Sequence, residues 1–432
     1  MARKRQPGTE QQPQARKKTP TFLLELPLQV TSDQAKRLRA HLEAALQLYN
    51  AILSEGQRRL RRMRADPAWQ RASAIPHTQQ LERKRAFGTL RQQYGFSEYA
   101  LHDAVKGLNC TWIADHVEAV VAQTLATRAY RALNRVCLGQ ARRVRFRSRS
   151  RGISSVENKR NDTGLRFVLQ PPEEGNAAYL LWQGDRLPAL IDWEDPVVSY
   201  GLRHPIKYAR LVVRQASSAR AQGADRVGQR YCVQLALEGV PSHKPKHQVG
   251  SDTVGMDLGP STIAIVPRED APRLEVFCAT LAPNARSIRR QERQMDRQRR
   301  ANNPENYDEK GRIKKHGKQR WQWKQSKRYL ATRRRKATRE QKLAAHRKSL
   351  HGRLVHEIVA LGKTIITEQI SYRARPQQFG RSVGLRAPGM FIALLKRTGA
   401  SYGRHRRARV PTQRTKLSQY CHGCGAYRKK PL

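Results

Sequence analysis

The chain has 432 residues and carries 85 Lys and Arg against 34 Asp and Glu, a formal charge of +51 at pH 7. Such an excess repels itself in a compact state and calls for a polyanionic partner, while the length supports several domains, each with its own core. No apolar run approaches the ~18 residues of a membrane-spanning helix, and residues 1–18 lack the apolar segment of a secretory leader. Six cysteines in so long a chain do not build a disulfide framework, so a reducing cytoplasm is expected and a membrane partner is not.

Residues 1–18, rich in Gln, Pro, Lys and Arg, read as a flexible basic arm. Thr21–Val30 alternates as a strand, and Pro27 favours an edge position because it cannot donate to a ladder. Thr31-Ser32-Asp33 then starts a helix whose apolar face is Leu38, Leu42, Ala45, Tyr49 and Ile52. A second strong helix is expected over Asp115–Leu138, with Val117, Val121, Leu125 and Ala129 in register and breaks near Pro67 and Pro76 before it. Residues 31–150 therefore read as a helical domain.

Arg142, Arg143, Arg145, Phe146 and Arg147 follow, a basic run with one aromatic that suits a phosphate backbone and a stacked base. A solvated basic linker fits the same residues equally well. Short strands at Leu165–Leu169, Ala178–Trp182, Ala209–Val213 and Tyr231–Leu237, punctuated by Pro171-Pro172 and Gly184-Asp185, predict a small β-barrel or sandwich. The strand at 21–30 can belong to it, with the helical domain inserted.

Val254 to Val266 reads as two strands joined at Gly259-Pro260, with the carboxylate of Asp257 near the end of the first and a third strand over Leu274–Thr280. An acid at the edge of an apolar sheet is costly unless it is paired or holds a cation. A long basic segment, Ala285–Leu361, is broken into two helices by Asn302-Asn303-Pro304 and the polar run to Gly317. Its second helix carries a stripe of Leu343, Leu350, Leu354 and Ile358, with Arg333, Arg334 and Arg335 outside it as a nucleic-acid-facing surface. Thr364–Ile370 is a buried-type strand bearing Glu368. Two acids at strand ends of one α/β domain are what a two-metal phosphodiester hydrolase needs, because carboxylates hold the hard cations that activate water. Farther on come a short apolar helix at Met390–Leu395, the basic Arg404, Arg406 and Arg407, and Cys421-His422-Gly423-Cys424-Gly425. Cys421 and Cys424 have the spacing of a zinc knuckle but supply only two of four ligands; a redox pair would normally open a helix after a strand.

This order of parts, from Thr21 to Cys424, resembles the OrfB/TnpB family of transposon-encoded RNA-guided nucleases and the related type V CRISPR effectors. The motifs that carry the resemblance are Val254-Gly255-Met256-Asp257-Leu258-Gly259, the basic helix running into Ile365-Ile366-Thr367-Glu368, and Ser418-Gln419-Tyr420-Cys421-His422-Gly423-Cys424-Gly425. It implies a multidomain α+β fold. A wedge-like β-barrel (19–30 and 151–248) receives the inserted helical recognition domain (31–150). An RNase H-type, RuvC-like α/β domain (249–410) follows, then a partial zinc-ribbon target-binding module (411–432). It further implies Mg²⁺ held by Asp257 and Glu368, Zn²⁺ at the half site of Cys421 and Cys424, a guide RNA and a double-stranded DNA target as partners, and a prokaryotic, nucleoid-associated location. Guide pairing would read sequence while the protein reads a short flanking motif and duplex shape.

The family places a second Cys-x-x-Cys after the first, then an Arg-Asp-x-Asn stretch whose aspartate completes the catalytic triad. Neither occurs within residues 1–432, and no Asp or Glu follows Glu368. A truncated gene or fragment is the expected reason, and residues 1–432 are expected to cleave weakly unless another acid, such as Asp252 or Glu269, completes the site. Zinc is expected to bind weakly unless His405 or His422 joins the thiolates. Three functions stay open: an RNA-guided DNA endonuclease, a nuclease-inactive RNA-guided DNA-binding protein, and an actin-like ATPase. Asp257-Leu258-Gly259 with Ser261-Thr262 resembles the first phosphate loop of the ATPases. Their second Asp-x-Gly loop and Gly-Gly adenosine turn are not found downstream, and the charge argues against them.

Overall fold

The structure is a computed structural model that describes residues 19–108, 111–149, 152–170, 177–215, 229–243, 246–314, 322–368, 375–402, 406–410, 419 and 424–428. The chain divides into two compact units, Met1–Ser242 and His243–Leu432. The N-terminal arm lies outside the described residues, and no helix among the described residues is long and apolar enough to cross a membrane.

The first unit begins with strand β1 (Thr21–Pro27) and helix α1 (Ser32–Ala65). Thr31 starts α1 with a reciprocal capping box: its hydroxyl accepts from the Gln34 amide, and its own amide donates to the Gln34 side chain. The expected face is buried, with Leu38, Ala45, Tyr49 and Ile52 joined by Leu53, Leu60 and Met63. Asp66 ends α1 and caps α2 (Pro67–Ala74) through the Ala68 amide at 2.8 Å. Helices α3 (Gln80–Gln93) and α4 (Glu98–Leu108) follow, then α5 (Ala119–Cys137), whose Val121, Leu125, Ala129 and Leu133 are fully buried. The last helix starts at Ala119 instead of Asp115. Glu118, extended at the helix boundary, spends its carboxylate on the Leu165 amide at 3.0 Å, and a turn occupies 111–117.

Strands β2 (Ser155–Glu157), β3 (Arg166–Leu169), β4 (Ala178–Trp182) and β5 (Asp185–Pro188), helix α6 (Pro196–Leu202), and strands β6 (Ile206–Gln215) and β7 (Gln229–Glu238) complete the unit. The expected closed barrel is corrected here. Among the described residues the strands form a four-stranded sheet, β1-β7-β6-β2, and a separate three-stranded meander, β3-β4-β5. Among the described residues one isolated β-bridge, Leu28 to Ala189, links the two sheets. Pro27 and Pro188 flank that junction without an N–H to donate, and β2 is three residues long, so neither edge can extend into a closing ladder. β1 sits at the edge of its sheet, where Pro27 is tolerated. Among the described residues α1 to α5 lie between β1 and β2 in the chain, an insertion into the β-layer.

The second unit opens with β8 (Asp252–Leu258), β9 (Thr262–Pro267) and β10 (Arg273–Val276), an antiparallel meander. The third strand ends at Val276, short of Thr280, because Cys278 adopts a left-handed backbone (φ 55°) that turns the chain. The basic segment divides as expected into α7 (Ala282–Asn302) and α8 (Lys327–Leu361). Asn303 and Asn306 secure the connection by hydrogen bonds to backbone groups of Lys324 and Gln322. Strand β11 (Gly362–Glu368) follows α8 directly, then α9 (Arg375–Arg386), α10 (Pro388–Ser401) and β12 (Arg406–Val410). The sheet order is β10-β9-β8-β11-β12, with β11 parallel to both neighbours. Gly362 is required at the tight entry to β11: a Cβ there would lie 2.2 Å from the Asp252 carbonyl oxygen. Val254, Met256, Leu258, Ile263 and Ile265 pack with Ile365 against Val355, Ile358 and Val359 of α8 and Phe391 and Leu395 of α10. Only the C-terminal half of the expected α8 stripe, Leu354 and Ile358, reaches this core; Leu343 and Leu350 are half-buried, and His351 takes a buried place beside Phe277 and Phe391.

Candidate carboxylate site and basic surfaces

Alternation along β8 buries Val254, Met256 and Leu258 and turns Asp257 to the opposite face, where it is exposed. On β11, Ile365 and Thr367 are buried and Glu368 lies on the other face, half-buried. The parallel register pairs Ile365 with Val254 and Thr367 with Met256. One further step sets Glu368 level with Asp257, on the same face of neighbouring strands about 4.8 Å apart. Both acids stand near the carboxyl ends of β8 and β11. The chain leaves β8 toward β9 and leaves β11 toward β12, on opposite sides. That divergence makes a topological switch point, where open α/β sheets form their ligand crevices.

Two carboxylates on one face suit a hard, oxygen-seeking cation such as Mg²⁺. Among the described residues no group of three or more His, Cys, Asp or Glu converges to hold a metal, so the pair stands without a third acid. Asp252 and Glu269 do not complete it. Asp252 begins β8, five residues before Asp257, or about 17 Å along a strand, and Glu269 donates its amide to Asp252 at 3.0 Å at that same end. Asp252 also accepts from the Arg268 amide at 2.8 Å and from Thr253. Burial would push its carboxyl up, but these three backbone amides outweigh burial and hold it below the ordinary aspartate value. It is a structural acid that ties the start of β8 to the end of β9.

Of the residues expected to bind zinc, Cys424 is an exposed free thiol, whereas Cys421, His405 and His422 lie outside the described residues.

The basic run 142–147 is exposed but anchored. Asn50 of α1 accepts from the Arg147 amide at 3.0 Å and donates to its carbonyl at 2.9 Å, while the Arg147 guanidinium lies 5.7 Å from the Tyr49 ring. Arg142, Arg143 and Arg145 line one open groove, and Phe146 is 53% exposed. This is a fixed basic ribbon along α1. In the second unit, Arg333, Arg334 and Arg335 are exposed on α8. Arg406 and Arg407 lie in β12 beside Thr364 and Ile365, and Arg404 lies outside the described residues. A surface that the sequence pattern did not single out is on α7. Arg286, Arg289, Arg290, Arg293 and Arg297 line one groove, spanning about 16 Å of helix at 1.5 Å per residue. Among the described residues none of the five meets a carboxylate within 4.0 Å. Their i, i+3, i+4, i+7, i+11 spacing was the available signal, hidden because charge runs are ordinarily solvated faces.

No family model matches the chain, and no curated protein sequence matches it. Among solved structures, it is similar to a cryo-EM structure of a Cas12f1–sgRNA–target DNA complex, with 10% identity over 95% of this chain and 92% of that one, at a TM-score of 0.44. It is also similar to a cryo-EM structure of a CRISPR-Cas12f ternary complex, with 11% identity over 92% of this chain and 74% of that one, at a TM-score of 0.29.

Proposed function

We propose that the chain is a TnpB-like, RNA-guided DNA endonuclease scaffold whose second unit is an RNase H-type, RuvC-like domain. The observation that carries this reading is the placement of Asp257 and Glu368 side by side at the carboxyl ends of adjacent parallel strands. The sheet order, an antiparallel meander followed by two parallel strands, supports it, as does the net charge of +51, which suits an RNA guide and a duplex DNA target. The first unit, two small sheets with an inserted helical layer, serves in this reading as the wedge and recognition domains. In this reading Cys421 and Cys424 would supply half of the ligands of a Zn²⁺ site.

Asp257 and Glu368 would hold Mg²⁺, and with the ion bound the pair would supply a site where water is activated and the leaving oxygen stabilised. The carboxylates themselves position the attacking oxygen relative to the scissile phosphate. An error of about 1 Å there costs on the order of a hundredfold in rate. The absence of a third acid beside them among the described residues favours a second reading for residues 1–432: guided DNA binding with little cleavage. The test is a Mg²⁺-dependent cleavage assay of the 432-residue chain charged with its co-purifying RNA. Slow or absent cutting with retained DNA binding is expected. Robust cutting that survives Asp257→Ala would overturn the site assignment.

A further inference from the structure

A groove of about 810 Å³ opens on the helical layer of the first unit, between α2, α3 and the C-terminal end of α5. Trp69 and Phe87, both half-buried, line it edge-to-face with ring centroids 4.8 Å apart, and Leu138, 54% exposed, adds an apolar edge. Two arginines hold the walls in place. Arg83 donates to the carbonyls of Ser73 and Ile75 at 2.8 and 2.6 Å, fixing the α2–α3 turn, with its guanidinium 5.3 Å from the Phe87 ring. Arg91 donates to Asn134 at 3.1 Å and to the Cys137 sulfur at 3.5 Å, tying α3 to α5. Lys84 and His77 stand exposed on the rim, and among the described residues no carboxylate lines the groove.

Gly88 sits inside α3, where glycine is unfavourable relative to alanine. A Cβ there would meet no atom within 4 Å, so close packing in the protein does not account for it; the missing side chain leaves the groove open. A preformed aromatic floor beside the Lys84 ammonium and the His77 imidazole is complementary to a flat apolar ring that carries a phosphate. We propose that this groove takes one unstacked nucleotide of a single strand, its base against Trp69 and Phe87 and its phosphate toward Lys84 and His77. The inference rests on nucleic-acid binding by the chain and adds where an unpaired base is held.

The test uses the full chain with single-stranded RNA and DNA oligonucleotides that carry one 5-iodouracil, irradiated and mapped by peptide mass spectrometry. A crosslink at Trp69 or Phe87 is expected, and the RNA and DNA arms identify which strand supplies the base. Gly88→Leu fills the groove with a better helix former; it should remove the crosslink, weaken binding of the oligonucleotide about tenfold, and flatten the plot of log affinity against log salt by no more than about 0.7, the share of one single-strand phosphate. Crosslinks confined to other peptides, with the affinity of Gly88→Leu unchanged, would leave the groove to a protein partner and overturn the inference alone. If neither oligonucleotide nor structured RNA binds, the nucleic-acid reading falls and the inference falls with it.

Discussion

Asp257 and Asp252 are five residues apart on one strand, and their surroundings divide their roles. Asp257 is exposed at the carboxyl end of β8, level with Glu368. Asp252 is buried at the other end and saturated by backbone amides. Asp257→Ala and Glu368→Ala should therefore each weaken Mn²⁺ binding, read by paramagnetic relaxation, while leaving RNA affinity and thermal stability nearly unchanged. Asp252→Asn should do the reverse. Its folded-state pKa is depressed, so its stabilisation is fully present above the unfolded value of about 3.9 and is lost as pH falls through the folded value. The stability gap between wild type and Asp252→Asn should be widest near neutral pH and should shrink below about pH 4 in denaturant titrations. A gap independent of pH would contradict the role given to the three amides.

At the scale of elements, caps and stripes do separable work. The capping box at Thr31 starts a 34-residue helix on which the first unit's core is built. Thr31→Ala should cost about 1 kcal/mol, read as a shifted denaturation midpoint without a changed slope. On α7, replacing Arg286, Arg289, Arg290, Arg293 and Arg297 with Gln should flatten the plot of log affinity against log salt, by about 0.9 for each duplex phosphate no longer neutralised. An unchanged slope would mean that this helix face meets only solvent.

The elements that were legible in the sequence are those whose pattern is local. Lone acids in apolar strands placed Asp257 and Glu368 near strand ends, and Pro27 marked an edge strand. Asn302-Asn303-Pro304 announced the break between α7 and α8. What escaped depends on partners distant in sequence. Whether short strands close a barrel is decided by edges such as β1 and β5, which meet only in three dimensions. The start of α5 moved because Glu118 bonds to Leu165. The nomination of Asp252 and Glu269 as stand-in acids failed on strand direction, since nearness in sequence to a hairpin does not say which end of the sheet a side chain occupies.

At the scale of the whole molecule, charge sets the first expectation. With 85 basic against 34 acidic side chains, binding to structured RNA should lose roughly 10³–10⁵ in affinity between 50 and 200 mM salt if six to ten phosphates are neutralised. A slope equivalent to one or two neutralised phosphates would contradict a nucleic-acid role. Guided recognition asks more than affinity of the chain: a bound RNA must choose the DNA. The most direct test is to sequence the RNA that co-purifies with the chain, then compare binding of duplex DNAs that share a flanking library and differ only in complementarity to that RNA. The complementary duplex should bind at least about tenfold more tightly, a difference of ~1.4 kcal/mol, and RNase treatment should remove the preference. Equal affinity for matched and mismatched duplexes, or a preference that survives RNase, would contradict guided recognition.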